Sequence, residues 1–118
     1  MNKVELDKDF TAAADGQVKL SAIVGNQQLG TTVVKVDGTQ VAKGTSIQDL
    51  VLGTGTDLNT KVVLARTVIN DVNEATNVTT MQYTLTDGTT TKTYDATGEV
   101  DKDFGVIVYF ANFTIAAS

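Results

Sequence analysis

Residues able to do catalytic chemistry are few in this chain, and what is missing narrows the options. There is no histidine and no cysteine, so an imidazole base, a thiolate nucleophile and the usual transition-metal ligands are all absent. Carboxylate chemistry remains. A hydrolase built on it needs two carboxyl groups facing each other across a cleft, yet the only glutamates are Glu5, Glu74 and Glu99, and no tryptophan is present to stack on a sugar. The pattern points to a protein that is not an enzyme, with no catalytic residue and no cofactor. A carboxylate-dependent hydrolase, or an accessory domain of one, is the alternative from another class.

Oxygen ligands for a hard cation occur in Asp71-Val72-Asn73-Glu74 and in the pair Asp101 and Asp103. Calcium takes six to eight such oxygens, but neither stretch has the full spacing of an EF-hand loop, and Asx residues populate turns for local hydrogen-bonding reasons. No metal ligand is therefore assigned. A calcium-stabilised, adhesin-like domain would betray itself by a melting temperature that rises with added calcium. Asn77-Val78-Thr79 and Asn112-Phe113-Thr114 fit the glycosylation acceptor pattern, a short motif that a threonine-rich chain produces by chance. Arg66, the sole arginine, sits among Val63, Leu64, Val68 and Ile69. Its expected role is to lay its aliphatic stem over apolar surface while the guanidinium stays in water.

The net charge of −5 and pI near 4.4 argue against a phosphate backbone as partner, since such binding relies on clustered cations. Here Lys3, Lys8, Lys19, Lys35, Lys43, Lys61, Arg66, Lys92 and Lys102 are scattered. Neither nucleic-acid binding nor membrane insertion is expected, because no apolar run approaches the length of a transmembrane helix. At 118 residues the chain is the size of one domain, 1–118, and can bury a core without disulfide or metal.

The elements that would position these groups are strands. Residues 17–24 alternate Val18, Leu20, Ala22 and Val24 with more polar neighbours, the period of a strand with one buried face. Residues 31–37 form a second strand, turned by Asp37-Gly38 into 39–42, because an Asp-Gly pair favours a tight hairpin. Residues 47–52 are a shorter strand, and Gly53-Thr54-Gly55-Thr56-Asp57 is expected as a loop. Residues 61–70 are apolar on both faces and rich in β-branched residues, which predicts a central strand. In 78–86, Met81, Tyr83 and Leu85 should face inward while Thr80, Gln82 and Thr84 face water. Asp87-Gly88 then leads to the threonine-rich edge strand 89–94. At the N-terminus, 3–10 is an edge-strand candidate through Val4 and Leu6, and 11–15 has the only appreciable helix propensity. With no proline to blunt its edges, the sheet must rely on charge, for which Lys8, Lys35, Lys92 and Asp95 are suited.

About eight or nine short strands at this spacing predict an all-β, two-layer antiparallel β-sandwich. In strand number, spacing and the Gly25, Asp37-Gly38 and Asp87-Gly88 turns, the chain resembles bacterial immunoglobulin-like or fibronectin-like sandwich domains. It lacks the cysteine pair and tryptophan of antibody domains. The resemblance carries over no functional residue, since a fold does not by itself license a function; the expected role is that of a non-catalytic, extracytoplasmic module, secreted, at the cell surface or periplasmic, serving surface attachment, extracellular assembly or carbohydrate association. Asn112, in its apolar setting of Phe110 and Phe113, also resembles the asparagine of pilin-type domains that forms an isopeptide bond with a lysine beside a buried acid. No matching lysine strand or acidic motif accompanies it.

The last strand, 104–115, is apolar on both sides: Phe104, Val106, Val108 and Phe110 on one, Ile107, Tyr109, Phe113 and Ile115 on the other. Only one side can face a sandwich core. Tyr109 and Phe113 are assigned as binding residues, capped by the N-terminal strand or by a protein partner or second copy, because large exposed apolar patches mark interaction sites.

Overall fold

The computed structural model describes residues 2–73, 75–101 and 105–118. Glu74, Asp103 and Phe104, which carried expectations as oxygen donors or as the start of the last strand, lie outside the described residues. Strands β1 (Asn2–Ala12), β2 (Gln17–Val24), β3 (Leu29–Val36), β4 (Thr39–Gly44) and β5 (Ile47–Thr54) lead into a one-turn helix, α1 (Gly55–Leu58). Strands β6 (Val62–Asn70), β7 (Val78–Thr86), β8 (Thr91–Glu99) and β9 (Val106–Ala117) complete the chain. They form a five-stranded sheet in the order β1-β9-β6-β3-β4 and a four-stranded sheet in the order β5-β2-β7-β8. Every pairing is antiparallel except β1 with β9, which run parallel.

Period-two patterning explains how the two sheets share one core. Val18, Leu20 and Ala22 of β2 and Met81, Tyr83 and Leu85 of β7 point from one side. Val63, Ala65 and Ile69 of β6 and Ile107, Tyr109, Ala111, Phe113 and Ile115 of β9 point from the other, and the two sets interdigitate as the inner faces of a sandwich do. The central position expected for residues 61–70 is observed, since β6 lies between β9 and β3. Asp37 and Gly38 both take positive φ, 47° and 85°, the backbone of a type I′ turn whose twist matches that of the flanking strands.

Four local differences from the sequence expectation have physical causes. The stretch read as a loop around Thr54 contains α1, nucleated by a capping box in which Thr54 Oγ1 accepts from Asp57 N at 3.1 Å and Asp57 Oδ2 accepts from Thr54 N at 3.3 Å. The strand after Asp87-Gly88 begins only at Thr91, because the Asp87 carboxylate takes the N–H groups of Thr89 and Thr90 into a turn. It then runs on to Glu99, held in register against β7 to its end. Residues 11 and 12 extend β1 rather than starting a helix, since Ala12 pairs with Ala117. Lys8, Lys92 and Asp95 do lie on the edge strands β1 and β8, but Lys35 is on β3, which is hydrogen-bonded on both sides.

Candidate functional site

Strand β9 has the two apolar sides read from its sequence, and the structure decides which of them is core. Tyr109 and Phe113, assigned as binding residues, are 1% and 0% exposed and face the four-stranded sheet. The Tyr109 hydroxyl lies 2.7 Å from Thr79 Oγ1 and donates to Thr79 O at 3.0 Å, and burial pushes its phenol up from the ordinary tyrosine value. The Phe113 ring packs edge-on to Tyr83 at 5.8 Å and against Tyr94 at 5.3 Å. Their cap is the protein's own second sheet. The open side of β9 is therefore the opposite one, carrying the half-buried Val106 and Phe110 and, between them, Val108, which is 4% exposed.

Cross-strand register builds this outer face row by row, because residues paired across strands sit side by side on one surface. In the central row Lys43 of β4 pairs with Val33, Val33 with Arg66, Arg66 with Phe110, and Phe110 with Glu5 of β1. The next row runs Gln40, Lys35, Leu64, Asn112, Asp7. On the other side of the central row, Thr31, Val68, Val108 and Lys3 are neighbours, and beyond them Leu29, Asn70 and Val106. The result is an apolar stripe over β3, β6 and β9. It is half-buried at Val33, Leu64, Val68, Val106 and Phe110 and open at its ends, where Leu29 is 62% and Val62 37% exposed.

Charge is arranged across the stripe with opposite signs at its two margins. On β1 the outward residues are Lys3, Glu5, Asp7 and Asp9, with Lys3 and Glu5 paired to each other at 3.0 Å. On β3 and β4 the outward charged residues are Lys35 and Lys43. Arg66 stands in the middle, its guanidinium 6.0 Å from the centre of the Phe110 ring, a cation–π distance. Arg66 is exposed, as expected, but it is the guanidinium, not only the stem, that lies over an apolar group.

No family model matches this chain, and no curated protein or solved structure is significantly similar to it. The function must be read from its surfaces.

The outer face of the four-stranded sheet is of another kind. Thr86 and Thr91, Thr84 and Thr93, Gln82 and Asp95, and Thr80 and Thr97 are cross-strand neighbours, and Thr91 Oγ1 donates to Thr86 Oγ1 at 2.9 Å. A shallow groove of about 470 Å³ crosses it, lined by Ile23, Thr80, Gln82, Asp95 and Thr97 among others, with no aromatic ring to stack on a sugar.

Several of the carboxylates singled out in the sequence hold backbone or side-chain N–H groups of the fold. Asp37 Oδ1 accepts from Val62 N at 2.9 Å, and Asp71 Oδ1 accepts from the buried Gln28 side chain at 2.8 Å. Gln28 Oε1 in turn accepts from Val72 N at 2.8 Å and Asn73 N at 3.0 Å, so the segment suggested as a cation loop is clasped by an amide from the β2–β3 turn. Asp101 Oδ1 accepts from Asn2 Nδ2 at 3.3 Å. Among the described residues no group of three acidic side chains converges as a cation cage would require. Asn112 lies on the outer face between Asp7 and Leu64, not in the buried setting that an isopeptide bond of the pilin type uses.

Sequence reasoning missed the stripe, although its signal was present. Residues 62, 64 and 68 are apolar on the second side of β6, and β9 is apolar on both sides. Two adjacent strands with surplus apolar faces were the clue, and register was needed to show that the surpluses are contiguous.

Proposed function

We propose that this protein is a non-catalytic sandwich module, immunoglobulin-like in its general build, that works by holding another macromolecule against the outer face of its five-stranded sheet. Surface attachment or extracellular assembly, outside the cytoplasm, is the setting that fits this role. The observation that carries the reading is the stripe Val33–Leu64–Val68–Val106–Phe110 between an acidic and a basic margin. Interfaces combine an apolar centre with a polar, charged rim in this way. Carbohydrate association has less support, because the groove on the other sheet lacks an aromatic platform.

A photoreactive residue placed at position 110, compared with one at position 93 on the threonine-covered face, tests the proposal in the cell that makes the protein. Adducts should form from 110 and not from 93. No adduct from 110, or equal yields from both, would count against it.

A further inference from the structure

We infer that the partner on this face is a second copy of the chain, stacked sheet to sheet about a two-fold axis that runs along β6. The inference rests on the interface reading above and adds the identity of the occupant. A two-fold along the strands reverses the strand order and keeps the rows, so β6 lies over its mate, β9 over β3, and β1 over β4. The central row then meets itself backwards. Lys43 faces Glu5 of the partner subunit, and Val33 faces Phe110 of the partner subunit. Because the interface is isologous, each contact occurs twice.

The neighbouring rows agree with the same axis. Leu64 meets Leu64 of the partner subunit, Asp7 meets the amide of Gln40 of the partner subunit, and Lys35 meets the amide of Asn112 of the partner subunit. In the row on the other side, Val68 meets Val68 of the partner subunit. Arg66 is the residue such an axis would most oppose, since it lies on β6. Its guanidinium, however, leans over the Phe110 ring toward β9, so the two guanidinium groups sit on opposite sides of the axis. The perpendicular choice, an axis across the strands through the central row, would set Glu5 on Glu5 of the partner subunit and Lys43 on Lys43 of the partner subunit, which like-charge repulsion disfavours.

Dimensions are sufficient. With strands about 4.8 Å apart and about 3.4 Å of rise per residue, five strands over the outward rows offer roughly 600 Å² per partner, at the lower end of specific interfaces. Stacked twisted sheets cross at about 30°, so rows far from the centre drift out of alignment. The Lys43–Glu5 pairs lie two strand spacings, about 10 Å, to either side of the axis, and as opposite charges joined by a flexible lysine side chain they select the orientation.

Sedimentation equilibrium across a concentration series tests the pairing, with circular dichroism of each variant to confirm that it is folded. The wild-type chain should approach a mass of about 25 kDa, twice its 12.5 kDa. Lys43→Glu alone and Glu5→Lys alone should each weaken association about tenfold or more, and the double variant should recover it, because the pair is restored with its signs exchanged. Phe110→Glu should be monomeric. A wild type that stays monomeric throughout, or dimers indifferent to both single reversals, would overturn the inference. A monomer that still gives an adduct with a different protein from position 110 would overturn the second copy as occupant while sustaining the outer face as an interface.

Discussion

Tyr109 joins the two layers at a single atom: its ring fills the core while its hydroxyl reaches the Thr79 hydroxyl and carbonyl on the facing sheet. Tyr109→Ser should destabilise the fold by about 3 kcal/mol or more in denaturant melts, the loss that accompanies deletion of a buried aromatic. Unchanged stability would show that the ring is not packed as described. Asp87 ties backbone rather than layers. Its carboxylate accepts from Thr90 N at 2.6 Å, Ala13 N at 2.8 Å and Thr89 N at 2.9 Å, and these bonds hold its pKa below the ordinary carboxylate value. A depressed folded value means that the charged form stabilises the fold at pH above the unfolded value of about 3.9, and that this contribution is lost as pH falls through the folded value. The melting-temperature gap between wild type and Asp87→Asn should be constant from about pH 5 upward and close below about pH 4. A gap that closes near neutral pH would exclude this role.

At the scale of elements, the β6–β7 connection is gripped by the β2–β3 turn, where the Gln28 side chain acts beside the bond from Asn73 Nδ2 to Asn26 O. Gln28 is 7% exposed, and its amide serves Asp71, Val72 and Asn73 at once. Gln28→Ala should cost about 2 kcal/mol or more, because two backbone N–H groups lose their acceptor in a part-buried site. Proteolysis should then cut first between β6 and β7, and a first cut elsewhere would mean that the clasp is not the restraint. This contact could not be read from the sequence, since Gln28 and Asp71 are far apart along the chain and neither belongs to a periodic pattern. Strands were legible for the opposite reason: β2 and β7 alternate so regularly that core-facing Leu20 and Tyr83 could be named from periodicity alone. For β9 periodicity separated the two faces but could not rank them, because Val106, Val108 and Phe110 are as apolar as Tyr109 and Phe113. The choice depended on which face the second sheet covers, a tertiary fact. The four-residue helix α1 was missed because two glycines outweighed Thr54 and Asp57, whose spacing is that of a capping box.

For the whole molecule, the pairing of its first and last strands has a mechanical consequence. β1 and β9 run parallel in unbroken register from Asn2 opposite Ile107 to Ala12 opposite Ala117, so the start of one and the finish of the other lie at opposite ends of a particle whose longest dimension is 45 Å. Tension applied between residues 2 and 117 is directed along both strands and stretches the whole ladder together, with no bond that can yield alone. Tension between residues 2 and 107, which are neighbours, peels the same ladder from one end. Forced unfolding follows the barrier along the pulled direction, so in single-molecule pulling at one loading rate the first geometry should rupture at several-fold higher force than the second. Equal forces would show that another element yields first. The same hydrogen bonds thus make the sandwich stiff to shear along its length and weak to peeling from one end.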